Sequence, residues 1–169
     1  MIRRVLVVGM ILVTALLLQS TLFPQLSLLG VRPELVFMVT ILIALIEGPA
    51  EGALVGFFGG LFQDFLLNDP KVITALTLTV LGYAVGLSRQ YITSPSPLLP
   101  TIVVAAGTAA GVAFHAVVSF LLGRFDHPFA FTSKVIVLTA LYGAVLTPIV
   151  YPTIRRLAEG SRLRRVVRF

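Results

Sequence analysis

Six apolar stretches follow one another along the chain, separated by charged, proline-rich or turn-forming residues. They cover residues 5–23, 33–46, 51–67, 72–91, 98–122 and 134–154. A helix that crosses the hydrocarbon core of a bilayer needs about 20 predominantly apolar residues. The pattern therefore predicts an all-α fold, a polytopic membrane bundle of about six transmembrane helices. We expect a transmembrane domain over residues 1–155 and a basic cytoplasmic tail over residues 156–169.

The second and third stretches are short for a full crossing, and the tight turn 47–51 joins them. They can form two short crossings, or a re-entrant hairpin that does not reach the far side. We favour two crossings. The first stretch follows Arg3 and Arg4 as in a signal peptide, but it has the length of a full span and no small-residue cleavage site follows. We expect it to be a retained first helix.

Composition supports a membrane location. Charged residues make up 12% of the chain, against about 25% in soluble domains. The net charge is +6, and the basic residues cluster at the ends of the chain, which favours contact with anionic lipid over nucleic-acid binding. Cysteine is absent, which excludes disulfides and cysteine-based metal sites.

The distribution of basic residues predicts the orientation. With six crossings and a cytoplasmic N-terminus, nine basic residues face the cytoplasm and four face outward, as the positive-inside rule requires. The inner set is Arg3, Arg4, Arg89, Arg155, Arg156, Arg162, Arg164, Arg165 and Arg168, and the outer set is Arg32, Lys71, Arg124 and Lys134. Four crossings with a re-entrant hairpin also satisfy this count. The tail arginines (Arg155, Arg156, Arg162, Arg164, Arg165 and Arg168) predict an anchor on anionic headgroups or a docking strip for a cytoplasmic protein.

Glycines recur at a spacing of four within the third, fourth and fifth stretches, which places them on single helix faces. Such faces let helix backbones approach closely. The predicted packing faces contain Gly52, Gly56, Gly59, Gly60, Gly82, Gly86, Gly107 and Gly111. They indicate a tightly packed bundle.

Asp64 and His115 are the ionisable residues placed within the outer halves of spans. Asp64 lies about 20 Å along a helix from Glu51, and His115 about 17 residues into the fifth stretch. One interpretation is an outward-facing polar pocket that contains both side chains. The other is structural: a satisfied pair, or a carboxylate that caps a neighbouring helix end.

Catalytic motifs are missing, so we expect no enzyme, no cofactor and no metal. The sequence contains neither a zinc-protease motif, nor a nucleophile elbow, nor a phosphate-binding glycine loop. His115 and His127 are too few for a zinc site unless Asp64 joins them. The outer loops contain few polar residues that could act on lipid-linked substrates: Arg32, Glu34, Asp69, Lys71, Arg124, Asp126, His127 and Lys134.

Several segments resemble the MreD family of rod-shape-determining membrane proteins. They are Leu18-Gln19-Ser20-Thr21-Leu22, Arg32-Pro33-Glu34-Leu35, the glycine-rich run 53–66 that contains Asp64, Ala75-Leu76, and the run 81–86. Two positions depart from the family pattern. Glu34 stands where the family often has aspartate. Val72 or Ile73 replaces a family glycine, so the loop before Ala75 can differ in shape.

The resemblance implies a non-enzymatic scaffold of the cell-elongation complex, with MreC as the direct partner. We expect the transmembrane helix of MreC to bind through the glycine faces and the outer loops. RodA, its penicillin-binding partner and MreB are implied as further partners in peptidoglycan synthesis and cell-shape control. It also implies a fold similar to the substrate-binding subunits of energy-coupling-factor transporters. The alternative function is therefore a vitamin-binding transporter subunit, which needs a closed polar outer cavity. A lipid-modifying enzyme is disfavoured by the missing carboxylate and histidine clusters.

Overall fold

Six α-helices form the part of the chain that the computed structural model describes, which is residues 2–21, 34–66, 72–91, 98–123 and 129–162. They are α1 (Ile2–Thr21), α2 (Leu35–Glu47), α3 (Pro49–Leu66), α4 (Ile73–Ser88), α5 (Leu99–Leu121) and α6 (Phe129–Arg162), with a 3₁₀ turn at Arg89–Tyr91. These ranges contain no strand. The all-α prediction with six helices is confirmed.

Helix α2 lies at the centre of the bundle and packs against α1, α3, α4, α5 and α6. Its residues 35–44 are all buried. A helix that is apolar on every side is stable only when it is surrounded, and the other helices supply that environment. At 13 residues, α2 is about 20 Å long, shorter than the hydrocarbon core of a bilayer. Because protein surrounds it, its length need not match the bilayer; whether α2 and α3 cross fully stays a prediction.

Helices α3 and α4 pack side by side in opposite directions through glycine. Gly52 near the start of α3 lies against Gly82 near the end of α4, and Gly60 lies against Ala75 at the start of α4. A Cβ added to Gly52 would stand 2.6 Å from the carbonyl oxygen of Gly82, a distance that real Cβ atoms do not adopt. Only hydrogen atoms fit between these backbones, as in other small-residue contacts between membrane helices.

Helix α5 uses its glycines differently, against side chains of α2. A Cβ on Gly107 would stand 2.8 Å from Cδ1 of Ile41, and one on Gly111 would stand 2.8 Å from Cε1 of Phe37. Later positions on α5 thus meet earlier positions on α2, so these two helices are also antiparallel. Gly59 of α3 faces side chains of α1 and α2.

Two of the described helices are long and apolar enough to cross a membrane by length and composition: Leu99–Leu121 and Phe131–Leu157. The first buries 28% of its apolar window and the second 17%, so most of their apolar surface faces outward. Shorter apolar helices cover Leu6–Thr21, Leu35–Glu47 and Ile73–Ser88. Helix α6 contains Pro148 and Pro152 and continues beyond residue 155, to Arg162.

Candidate functional site

Asp64 lies at the end of α3 that adjoins the start of α4. Its side chain is 5% exposed, and its Oδ2 accepts a hydrogen bond from the backbone N–H of Ala75 at 3.1 Å. Ala75 is in the first turn of α4, where backbone N–H groups lack partners within the helix. The carboxylate also complements the positive end of the helix dipole. This contact is the helix-capping arrangement that the structural interpretation of Asp64 predicts.

The backbone just before α4 keeps a conformation that favours glycine. Val72 has φ 53° and ψ 24°, the left-handed region that β-branched residues rarely adopt. Sequence comparison with the family pattern suggested a differently shaped loop, because valine or isoleucine replaces a glycine there. The structure shows a left-handed backbone at Val72, which is strained for a β-branched residue. Residues 67–71 lie outside the described residues, so the shape of that loop stays a prediction.

Gln19 supplies a second cap of the same kind, at the start of α2. Its Oε1 accepts a hydrogen bond from the backbone N–H of Val36 at 3.2 Å. The N-terminal ends of α2 and α4 are therefore each held by a polar side chain of the preceding helix. In the sequence, Gln19 stands out only as part of a segment that resembles the MreD family. A single amide at the end of an apolar helix is the signal that identifies it.

A small pocket lies beside Glu34, between the start of α2 and helices α5 and α6. Thr108 of α5 and Thr139 and Tyr142 of α6 contribute to its lining. Its volume of about 10 Å³ is space for about one water molecule. Among the described residues, Oε2 of Glu34 and Oγ1 of Thr139 are buried without a hydrogen-bond partner. Such atoms are costly unless a polar ligand satisfies them.

Glu34 lies within the apolar stretch 33–46, directly before α2, and its pocket is lined by Thr108 and Thr139 from within the apolar spans of α5 and α6. Its Oε2 is buried, and no basic side chain lines the described part of the pocket. From the sequence, Glu34 is predicted to be an outer-loop residue. Threonines at positions 108 and 139 within apolar helices are the signal that could have indicated a polar pocket.

The joint pocket of Asp64 and His115 stays a prediction. His115 is half-buried on α5. Neither the pocket beside Glu34 nor the groove on α1 is lined by Asp64 or His115. Within the described ranges, no group of three or more histidine, aspartate or glutamate side chains is placed to hold a metal ion. His127, with Arg32, Asp69, Lys71, Arg124 and Asp126, lies outside the described residues.

Charged residues gather at the opposite end of the bundle. Gly48 makes the α2–α3 turn with φ 112°, and both Nη1 of Arg89 and Oε2 of Glu51 lie within 4.0 Å of the position a Cβ would take there. Arg155 and Arg156 are exposed on α6. Of the other tail arginines, Arg162 lies in α6, whereas Arg164, Arg165 and Arg168 lie outside the described residues.

An open groove runs along α1 on the surface of the bundle. It is lined by Leu6, Gly9, Met10, Val13 and Thr14, all of α1, so the groove is a shallow indentation on the open face of one helix. A Cβ added to Gly9 would meet nothing within 4 Å. Gly9 therefore differs from the glycines of α3, α4 and α5, whose faces are occupied by neighbouring helices.

Comparison with known proteins identifies one family. The family model described as rod shape-determining protein MreD matches residues 2–159. No curated protein and no solved structure matches the chain.

Proposed function

The chain belongs to the MreD family of rod shape-determining membrane proteins, and from this membership we propose that it is a non-enzymatic scaffold of the cell-elongation complex. The family match over residues 2–159 is the observation that carries the proposal. In this role the bundle binds MreC and helps to position peptidoglycan synthesis. RodA, its penicillin-binding partner and MreB are further partners within the same proposal. Anionic lipids or a cytoplasmic partner bind the tail arginines.

The proposed location is the bacterial inner membrane, with several crossings and both termini in the cytoplasm. Support comes from the outward-facing apolar surface of α5 and α6 and from the nine-to-four distribution of basic residues. The similarity to substrate-binding subunits of energy-coupling-factor transporters belongs to the proposal as a statement about fold. A vitamin-binding function gains no support from the pocket beside Glu34, because about one water molecule fills it.

The groove on α1 is the surface we assign to the transmembrane helix of MreC. Contact through the glycine faces of α3, α4 and α5 is disfavoured, because those faces are already filled inside the bundle. Gly9 leaves a notch between exposed apolar side chains such as Leu6 and Met10. A helix that enters this notch gains van der Waals contact that lipid chains provide less well.

Co-purification with MreC from native membrane tests the proposal. The unmodified chain is expected to retain MreC, and Gly9→Leu is expected to lose most of it while folding normally, because the new side chain fills the notch. Val137→Leu is the matched control, since Val137 is 64% exposed on α6, away from the groove. If the unmodified chain fails to retain MreC, the scaffold proposal is wrong. If Gly9→Leu retains it fully, only the assignment to α1 is wrong.

A further inference from the structure

Three elements converge on the pocket beside Glu34, and each presents an oxygen atom. Glu34 enters from the start of α2, Thr108 from α5 and Thr139 from α6. Thr139 is 2% exposed and Thr108 is 1% exposed, so both lie in the interior. The hydroxyl of Thr108 donates to the carbonyl oxygen of Val104 at 2.7 Å, which leaves its lone pairs available to accept.

The unpartnered atoms define what the pocket can bind. Oε2 of Glu34 and Oγ1 of Thr139 have no hydrogen-bond partner among the described residues. A ligand that satisfies both must donate and accept hydrogen bonds, and the volume of about 10 Å³ limits it to the size of one water molecule. Gly143, one turn beyond Thr139, keeps the space open: a Cβ there would stand 3.4 Å from Oγ1 of Thr108.

The charge of Glu34 needs compensation that the pocket lining does not supply. The described lining contains no basic side chain, and Tyr142 of α6 is its only other titratable group; α2 and α5 contribute none. An uncompensated buried carboxylate is far more costly than a neutral carboxyl group. The neutral form also gains an O–H donor, which a water molecule in the pocket can accept.

We propose that Glu34, Thr108 and Thr139 form a proton-dependent site that binds a single water molecule and thereby joins the start of α2 to α5 and α6. In the protonated state, the water accepts from Glu34 and Thr139 and donates to Thr108. Loss of the proton places a negative charge in the pocket and weakens the connection. The site goes beyond the scaffold function, since it concerns how the bundle itself responds to pH.

The sign of the pH effect follows from the geometry of the pocket, because the buried Oε2 of Glu34 has no basic partner in the described lining, whereas in the unfolded chain the same carboxyl group is solvated. If the native protein keeps this proton where the unfolded chain has lost it, as we propose, stability falls as pH rises. The protein in detergent micelles is expected to lose about 3 °C or more in melting temperature between about pH 5 and about pH 8. Glu34→Gln is neutral at both values and is expected to lose less over the same range. The difference between the two profiles isolates Glu34 from other titrating groups.

A double-mutant comparison tests the bridge. Thr139→Val is expected to lower the melting temperature at about pH 5 in the unmodified chain and beside Glu34→Gln, which keeps a neutral hydrogen-bond donor, but to have little effect beside Glu34→Leu. Thr77→Val is the matched control, because Thr77 is also buried with an unpartnered hydroxyl but lies on α4, outside the pocket lining. Its effect is expected to be equal in all backgrounds.

Infrared spectroscopy measures the protonation state of Glu34 directly. If Glu34→Leu does not fold, Glu34→Gln serves as the variant, because it keeps the shape of the side chain. A carboxylic-acid carbonyl band is expected at about pH 6 and is expected to be missing in Glu34→Gln. The proposal is overturned if that band is absent from the unmodified protein, if Glu34→Gln keeps the same melting profile, or if Thr139→Val acts equally in the unmodified chain and beside Glu34→Leu.

Discussion

Asp64 makes a contact that the structural interpretation requires, because its carboxylate caps the first turn of α4 through Ala75. An oxygen acceptor at this position satisfies a backbone donor that is buried together with the side chain. A capping side chain typically stabilises a helix by about 0.5–2 kcal/mol. Asp64 therefore contributes to folding whether or not it also has a functional role.

The effect of a substitution at Asp64 on stability is expected to depend on whether the hydrogen bond to the backbone of Ala75 is kept. Asp64→Asn keeps an oxygen acceptor and should be tolerated, whereas Asp64→Leu should lower the free energy of unfolding by about 1–2 kcal/mol and reduce the amount in the membrane. Unfolding in detergent and quantification of the membrane fraction measure both effects. Gln63→Leu is the control, since Gln63 is equally buried but its Oε1 has no hydrogen-bond partner among the described residues. Equal losses for Asp64→Leu and Gln63→Leu would contradict the capping role.

A substitution at Val72 is expected to stabilise the protein, in contrast to Asp64→Leu. The left-handed conformation costs an L-residue roughly 1–2 kcal/mol, and glycine adopts it freely. Val72→Gly also makes the unfolded chain more flexible, which offsets part of the gain. We expect a net stabilisation of about 1 kcal/mol, measured by unfolding in detergent. Val80→Gly, in the interior of α4, should instead destabilise by a similar amount; a loss at Val72→Gly would show that the strain is absent.

Among the helices, α3 and α4 form the tightest pair, and their glycines explain why. Gly56 lies against the backbone of Leu78, so an added side chain has nowhere to go without separating the helices. The sequence predicted close packing within the bundle at these faces and also contact with MreC through them. The structure assigns the faces of α3 and α4 to the bundle.

Leucine at Gly56 is accordingly expected to impair folding. Overpacking a close contact typically costs about 1–3 kcal/mol, and a backbone contact allows less relaxation than a side-chain contact. Gly56→Leu should lower the amount of folded protein in the membrane, as detected by size-exclusion chromatography in detergent. Gly9→Leu should leave folding unchanged, because Gly9 faces open space. A monodisperse Gly56→Leu protein at normal yield would show that this contact is looser than the structure indicates.

The helices could be predicted from sequence because length and apolar character are local properties. Each predicted stretch corresponds to one observed helix, and most of the helix boundaries differ from the predicted ones by a few residues. The central position of α2 could not be predicted, because a short apolar run fits either a hairpin or a core helix. The pocket beside Glu34 was also missed, since Glu34, Thr108 and Thr139 are far apart in sequence and meet only through packing.

At the scale of the whole molecule, the helices alternate in direction. Gln19 near the end of α1 meets the start of α2, and the glycine contacts make α3 and α4 antiparallel. Helices α5 and α6 pack together and are joined by seven residues, which span at most about 28 Å. That distance is too short for the chain to return to the start of α5, which is about 35 Å long, so α6 runs antiparallel to α5. The start of α1 and the end of α6 therefore lie at the same end of the bundle.

This alternation, combined with the basic residues, makes a prediction about the membrane. The end that contains the α2–α3 turn also carries Arg89, Arg155 and Arg156, whereas Lys134 lies near the start of α6, at the other end. The positive-inside rule places the arginine-rich end in the cytoplasm. Reporter fusions after Phe169 and within residues 123–128 should thus report opposite sides, with Phe169 cytoplasmic.

Because consecutive helices alternate, a re-entrant α2–α3 pair leaves both reporters where six crossings put them. A fusion in the α2–α3 turn distinguishes the two: it should be cytoplasmic for six crossings and inaccessible from the cytoplasm for a hairpin that stops within the bilayer. A periplasmic Phe169 reporter would contradict both arrangements.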